Sequence, residues 1–182
     1  MFFSSNIIIN NFTCGYTSLV SYYSIYGPYF NNNTLKVEDK ISFSISDYSF
    51  VGIIDRIDQE GLNGIKILDY KTGKKNITQK KLSTNLQMGI YSYAIQSKFP
   101  QIKVEDIILS HFYVRNGKEI SINGSEINYT RFKDKIIKDI KLIEFSEKHN
   151  NFEAKESNLC NWCYYWKECD KKTGNNPSLF LE

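Results

Sequence analysis

Asp55 closes the apolar run VGII at residues 51–54, and Asp69 closes the alternating run IKIL at 65–68, with Lys71 two residues beyond it. A carboxylate at the tip of an apolar segment is costly to desolvate unless it is paired or bound to a cation. Two of them within reach of each other supply hard oxygen ligands for Mg²⁺ or Mn²⁺, and the cation relieves the repulsion that would raise one pKa. A metal held there polarises a phosphate oxygen and lowers the pKa of a coordinated water. Lys71 can orient that water or balance the negative charge developing at phosphorus. Removing such a donor typically costs on the order of a hundred- to a thousand-fold in rate. Taken singly, either aspartate reads better as a strand-end partner of Arg56 or Lys71 in a surface ion pair. The two acids together, with lysine at two-residue spacing, favour the metal.

The positioning elements follow from periodicity. Side chains alternate across a strand, so Val51, Ile53 and Asp55 share one face, as do Ile65, Ile67, Asp69 and Lys71. Residues 35–46 (LKVEDKISFSIS) alternate with Ile41, Phe43 and Ile45 on one side. The spacing predicts strands over 35–46, 49–57 and 65–71, the last two joined by QEGLNG, which together make an antiparallel meander. From Thr78 to about Lys98 the pattern turns helical through Leu82, Leu86, Ile90 and Ala94. Gln87 and Tyr91, four apart, are neighbours on that helix. A strand over 104–114, the hairpin signal Asn116-Gly117, a strand over 118–123 and a helix over 130–148 complete the pattern. Upstream, 16–26 reads as a helix stopped by Gly27-Pro28. The fold class is α/β, a central mixed sheet begun by the meander and flanked by helices.

Cysteine usage marks a second feature. Cys160, Cys163 and Cys169 crowd the C-terminal segment, and Cys14 stands alone. In a reducing compartment such a cluster reads as metal ligation before disulfides. Three thiolates on one centre suit either zinc or an iron–sulfur cluster, and both usually need a fourth ligand. Residues 1–150 are therefore expected to form a core and 151–182 a small cysteine appendage packed on it. Trp162, Tyr164, Tyr165 and Trp166 are expected to shield the centre. The net charge of +3 permits a polyanionic partner without demanding one. The first residues carry neither a basic lead-in nor a long apolar stretch, which predicts an intracellular, cytoplasmic protein without a membrane partner.

The runs GIIDRID and ILDYKTGK, followed by Gln87-x₃-Tyr91 in NLQMGIYSYA, resemble the PD-(D/E)XK nuclease superfamily. Within it they are most similar to the RecB-like branch, notably CRISPR-associated and phage RecB-type exonucleases. The resemblance implies a restriction-endonuclease-like core and a metal-dependent DNA nuclease acting on single-stranded ends. Asp55 and Asp69 are then the metal ligands, with Lys71, Gln87 and Tyr91 completing the catalytic set. It further implies a [4Fe-4S] cluster, with zinc the alternative, held by Cys160, Cys163 and Cys169 and completed by Cys14. Partners would be single-stranded DNA and proteins of recombination or CRISPR adaptation. The upstream His or acidic motif of those enzymes has no counterpart, since no His or Glu precedes Glu38. Glu38 is the substitute ligand within reach, and a catalytically impaired nucleic-acid-binding or scaffold protein is the alternative. His111 and His149 are expected to be structural. Lys74, Lys75, Lys80 and Lys81, next to the strand over 65–71, are expected to follow a nucleic-acid backbone. A zinc-ribbon module with incidental strand acids is a third reading.

Overall fold

The computed structural model describes residues 5–27, 33–169 and 171–172, with side chains from Thr13 onward. The chain divides into two compact units, residues 1–135 and 136–182. The boundary lies inside the last long helix, whereas the cysteine pattern alone marks the appendage from residue 151.

The first unit is built on one five-stranded sheet of order β1-β2-β3-β4-β5. Its strands are β1 (Thr34–Ile45), β2 (Tyr48–Glu60), β3 (Gly64–Lys71), β4 (Ile107–Tyr113) and β5 (Lys118–Asn123). The first three form the expected antiparallel meander, β4 runs parallel to β3, and β5 returns antiparallel. A parallel neighbour requires a crossover rather than a tight turn. Residues 72–106 provide it through α2 (Gln79–Leu82) and α3 (Leu86–Lys98). The meander turns at Gly61, whose φ of +58° favours glycine.

Helices pack on both faces. Adjacent residues of a strand point to opposite sides. On one side Tyr70 and Phe112 meet Tyr22 of α1 (Ser5–Tyr26), edge to face at 5.9 and 5.8 Å. On the other, Lys71 is hydrogen-bonded to Gln87 of α3. Ile41, Phe43 and Ile45 are buried as their alternation requires, together with Ile54, Ile67, Leu68 and Leu109.

Four elements depart from the periodic reading. Helix α1 begins at Ser5, well before residue 16. The Asn-rich, β-branched opening is a weak helix former, and tertiary anchoring of Tyr22 and Tyr26 carries the helix instead. The helix expected over 78–98 is broken in two, because Thr78 and Asn85 each turn a side-chain oxygen onto a backbone N–H, from Lys81 and Met88, and cap separate helices. Leu86 consequently lies on an exposed face while Met88 and Ala94 are buried. The strand expected from residue 104 begins at Ile107, since Val104–Asp106 form a 3₁₀ turn. Strand β2 extends to Glu60.

In the second unit, the remainder of α4 (Tyr129–His149) leads into an irregular segment and a 3₁₀ turn over Asn158–Trp162. Ser157 caps that turn by accepting from the Leu159 N–H. No helix among the described residues is long and apolar enough to cross a membrane.

Candidate active site

The β2–β3 ladder pairs Arg56 with Leu68 and Ile57 with Ile67, so the same register carries Asp55 opposite Asp69 on one face. Asp55 Oδ2 accepts from the Tyr70 backbone N–H at 2.9 Å, which fixes its carboxylate at the edge of β3. Asp69 is 2% exposed. Its Oδ2 lies 2.6 Å from Lys71 Nζ in an ion pair but has no well-directed hydrogen bond among the described residues. Burial raises the Asp69 pKa, the Lys71 ammonium opposes that rise, and the Asp55 charge adds to it.

A chain of polar contacts runs from this pair into α3. Lys71 Nζ donates to Gln87 Oε1 at 2.8 Å, and Gln87 Nε2 donates to the Tyr91 hydroxyl at 2.9 Å. The Tyr91 hydroxyl in turn donates to the Ile53 carbonyl at 2.7 Å, one turn of the meander back. The N-cap at Asn85 starts α3 in the register that brings both side chains to the sheet. Burial raises the Tyr91 pKa, and the charges of Asp69, Asp55 and Glu38 raise it further. Tyr91 therefore stays protonated and remains a donor.

Glu38 is exposed, with φ +49°, and lies on β1 between the pairs Val37–Arg56 and Asp39–Ile54, opposite Asp55. It borders the site without entering the Asp69–Lys71–Gln87 chain. Lys74, Lys75, Lys80 and Lys81 are all exposed. His149 is exposed, its Nδ1 2.8 Å from the Phe145 carbonyl.

His111 is the residue that periodicity left outside the site. The parallel register sets it beside Asp69, with Nε2 4.0 Å from Asp69 Oδ2. Burial and the Lys71 charge push its pKa down to about 4, so the ring is neutral at ordinary pH. Only the β3–β4 pairing could have revealed it, and no sequence period encodes which distant strand lies alongside.

The cysteines are half-buried and not joined in disulfides, Cys14 in the first unit and Cys160, Cys163 and Cys169 in the second. The Ser157 N–H donates to Cys160 Sγ at 3.3 Å. Among the described residues no group of three or more His, Cys, Asp or Glu side chains is arranged to hold a metal ion, the three C-terminal thiols included. Trp162, Tyr164 and Tyr165, expected as a shield, are exposed, whereas Trp166 is buried with Lys172 Nζ over its ring at 5.4 Å.

A family model described as the PD-(D/E)XK nuclease superfamily matches residues 27–170. The chain belongs to the PD-(D/E)XK nuclease superfamily. Membership implies metal-dependent phosphodiester hydrolysis on a nucleic acid, and enzymes of the superfamily generally use Mg²⁺ or Mn²⁺. The solved structure described as "Crystal structure of SSO0001" is similar to this chain at 15% identity and a TM-score of 0.46, over 94% of this chain and 73% of that one. No curated protein matches the chain. The superfamily's metal fits the residues present: Asp55 and Asp69 offer hard oxygens, and Asp69 Oδ2 is buried without a hydrogen bond to satisfy it. Two carboxylates suffice for Mg²⁺, which keeps several waters and takes substrate phosphate oxygens as further ligands.

Proposed function

We propose that this chain is an intracellular deoxyribonuclease of the RecB-like type that removes nucleotides from single-stranded ends. The observation that supports this reading is the unbroken contact chain Asp69–Lys71–Gln87–Tyr91 on the face that carries Asp55.

Asp55 and Asp69 would hold the divalent cation, which supplies Lewis-acid polarisation of the phosphate and a more acidic attacking water. The Lys71 ammonium, steadied by Gln87, would stabilise the charge that develops on a phosphate bound there. Gln87 is itself held by the Tyr91 hydroxyl, whose bond to the Ile53 carbonyl ties helix to sheet. Preorganisation of this kind spares the site from reorienting dipoles during reaction.

Cleavage of labelled single-stranded DNA in Mg²⁺ and in Mn²⁺ tests the reading, with Asp69→Ala and Lys71→Ala beside the wild type. Metal-dependent shortening from one end, lost in Asp69→Ala, is expected. Binding without cleavage would instead favour the alternative, a scaffold that retains the nuclease fold, and the Asp69–Lys71 ion pair standing in place of a gathered ligand set is the feature that favours it. In the second unit we assign Cys160, Cys163 and Cys169 to an iron–sulfur or zinc centre that the bound metal would gather, in keeping with a role in recombination or CRISPR adaptation. The support is their Cys-x₂-Cys-x₅-Cys spacing. Anaerobic purification with metal analysis checks it: stoichiometric iron with visible absorbance indicates the cluster, zinc alone indicates the other centre.

A further inference from the structure

We propose that His111 supplies a nitrogen ligand to the divalent cation of the Asp55–Asp69 site. The inference rests on the metal-dependent reading of that site and adds a residue to it.

Three buried polar atoms converge without satisfying one another. Asp69 Oδ2, His111 Nδ1 and His111 Nε2 all lack a hydrogen-bond partner among the described residues. The great majority of buried side-chain polar atoms in folded proteins have a partner, so an imidazole with neither nitrogen bonded, beside a buried carboxylate whose one contact is the Lys71 ammonium, calls for an explanation. The side chains of Asp69 and His111 are each 3% exposed, and Nε2 stands 4.0 Å from Oδ2. That separation is too long for a hydrogen bond. It suits two donors on a single cation, since ligands at about 2.1 Å lie roughly 3 to 4.2 Å apart around an octahedral centre. The neighbouring strands make the pairing rigid, because Asp69 and His111 are direct partners in the parallel ladder and project to the same face. A cation is already accommodated at the carboxylate in the form of the Lys71 ammonium, 2.6 Å from Oδ2.

The donor set also has a chemical consequence. Two carboxylates alone suit Mg²⁺, whereas an imidazole nitrogen shifts preference toward Mn²⁺ and other first-row ions. His111 on β4 would add a nitrogen to the carboxylate oxygens of Asp55 on β2 and Asp69 on β3, three side chains that are not gathered into one ligand group without the cation. His111 is set beside Asp69 by topology rather than by any local motif.

Pulsed electron paramagnetic resonance of the full chain loaded with Mn²⁺ reads this directly, because a directly bound imidazole leaves a ¹⁴N modulation on the manganese signal. The wild type is expected to show it, and His111→Gln to lose it, with Mn²⁺ affinity falling at least about tenfold and Mg²⁺ affinity falling less. Circular dichroism verifies that the variant folds; should it not, His111→Asn takes its place, and the wild-type spectrum already decides the point. Manganese bound without ¹⁴N modulation, or modulation persisting in the variant, overturns the assignment of His111 while leaving the nuclease reading intact. Wild-type protein that binds no Mn²⁺, or Asp69→Asn that binds it unchanged, overturns the two-aspartate site itself and the proposal with it.

Discussion

Gln87 shows how the chemistry is distributed over single residues. It touches neither carboxylate, yet its Oε1 is the acceptor that holds Lys71 Nζ and its Nε2 reaches the Tyr91 hydroxyl. Gln87→Ala leaves Lys71 its contact with Asp69 but frees the ammonium to swing. A hydrogen bond to a charged group is worth about 1.5–3 kcal/mol, so the cleavage rate should fall roughly ten- to a hundred-fold, with little change in metal affinity. Single-turnover rates set beside metal titrations separate this from loss of a ligand, which would weaken metal binding as well. At this scale the sequence was informative. Two-residue spacing on β3 sets Asp69 with Lys71 and four-residue spacing on α3 sets Gln87 with Tyr91, while the joining of the two pairs, seen in the Lys71–Gln87 bond, was legible only through the family resemblance. His111 escaped because its neighbour Asp69 lies far away along the chain.

At the scale of elements, a bond from the Tyr91 hydroxyl to the Ile53 carbonyl pins helix α3 to β2. Tyr91→Phe keeps the ring and loses that anchor, so urea denaturation should register a loss of about 0.5–1.5 kcal/mol. The cleavage rate should fall with it, because Gln87 loses its brace. A second junction ties α1 to the sheet: Glu119 on β5 is paired with Lys66 on β3 and accepts from the Tyr26 hydroxyl at 3.2 Å. Although burial opposes ionisation, the Lys66 pairing and the bonds from Ser110 and Ser121 outweigh it and hold the Glu119 pKa below its usual 4.5. A carboxylate depressed on folding contributes stability that is fully present above its unfolded value. That contribution is lost as pH falls through the lower folded value. Thermal melts of the wild type should therefore decline below about pH 4.5, and Glu119→Gln should decline less steeply. The elements were legible where alternation was strict, as in β1 and β3. They were not where a cap outvoted a period: Asn85 broke one expected helix into two, and packing of Tyr22 and Tyr26 extended another through residues of poor propensity.

For the molecule as a whole, the net charge of +3 is too small to bind a polyanion strongly, so attraction must come from where the lysines sit. Lys74, Lys75, Lys80 and Lys81 are exposed on the segment that leaves β3 just past Lys71 and enters α2. That placement follows from the crossover: a parallel β3–β4 pair obliges the chain to leave the sheet at the end that carries Asp69, and the basic residues lie on the way out. If this is the path of the single strand, each phosphate contact removed should reduce the slope of log affinity against log salt by roughly 0.7. Replacing all four lysines with alanine should weaken binding of single-stranded DNA across sequences and flatten the slope by up to about 3, with metal affinity unchanged. Fluorescence anisotropy across a salt series, in Ca²⁺ to withhold cleavage, measures it. A slope that stays as steep in the fourfold variant would move the strand to another part of the surface and leave these lysines as a solvated loop.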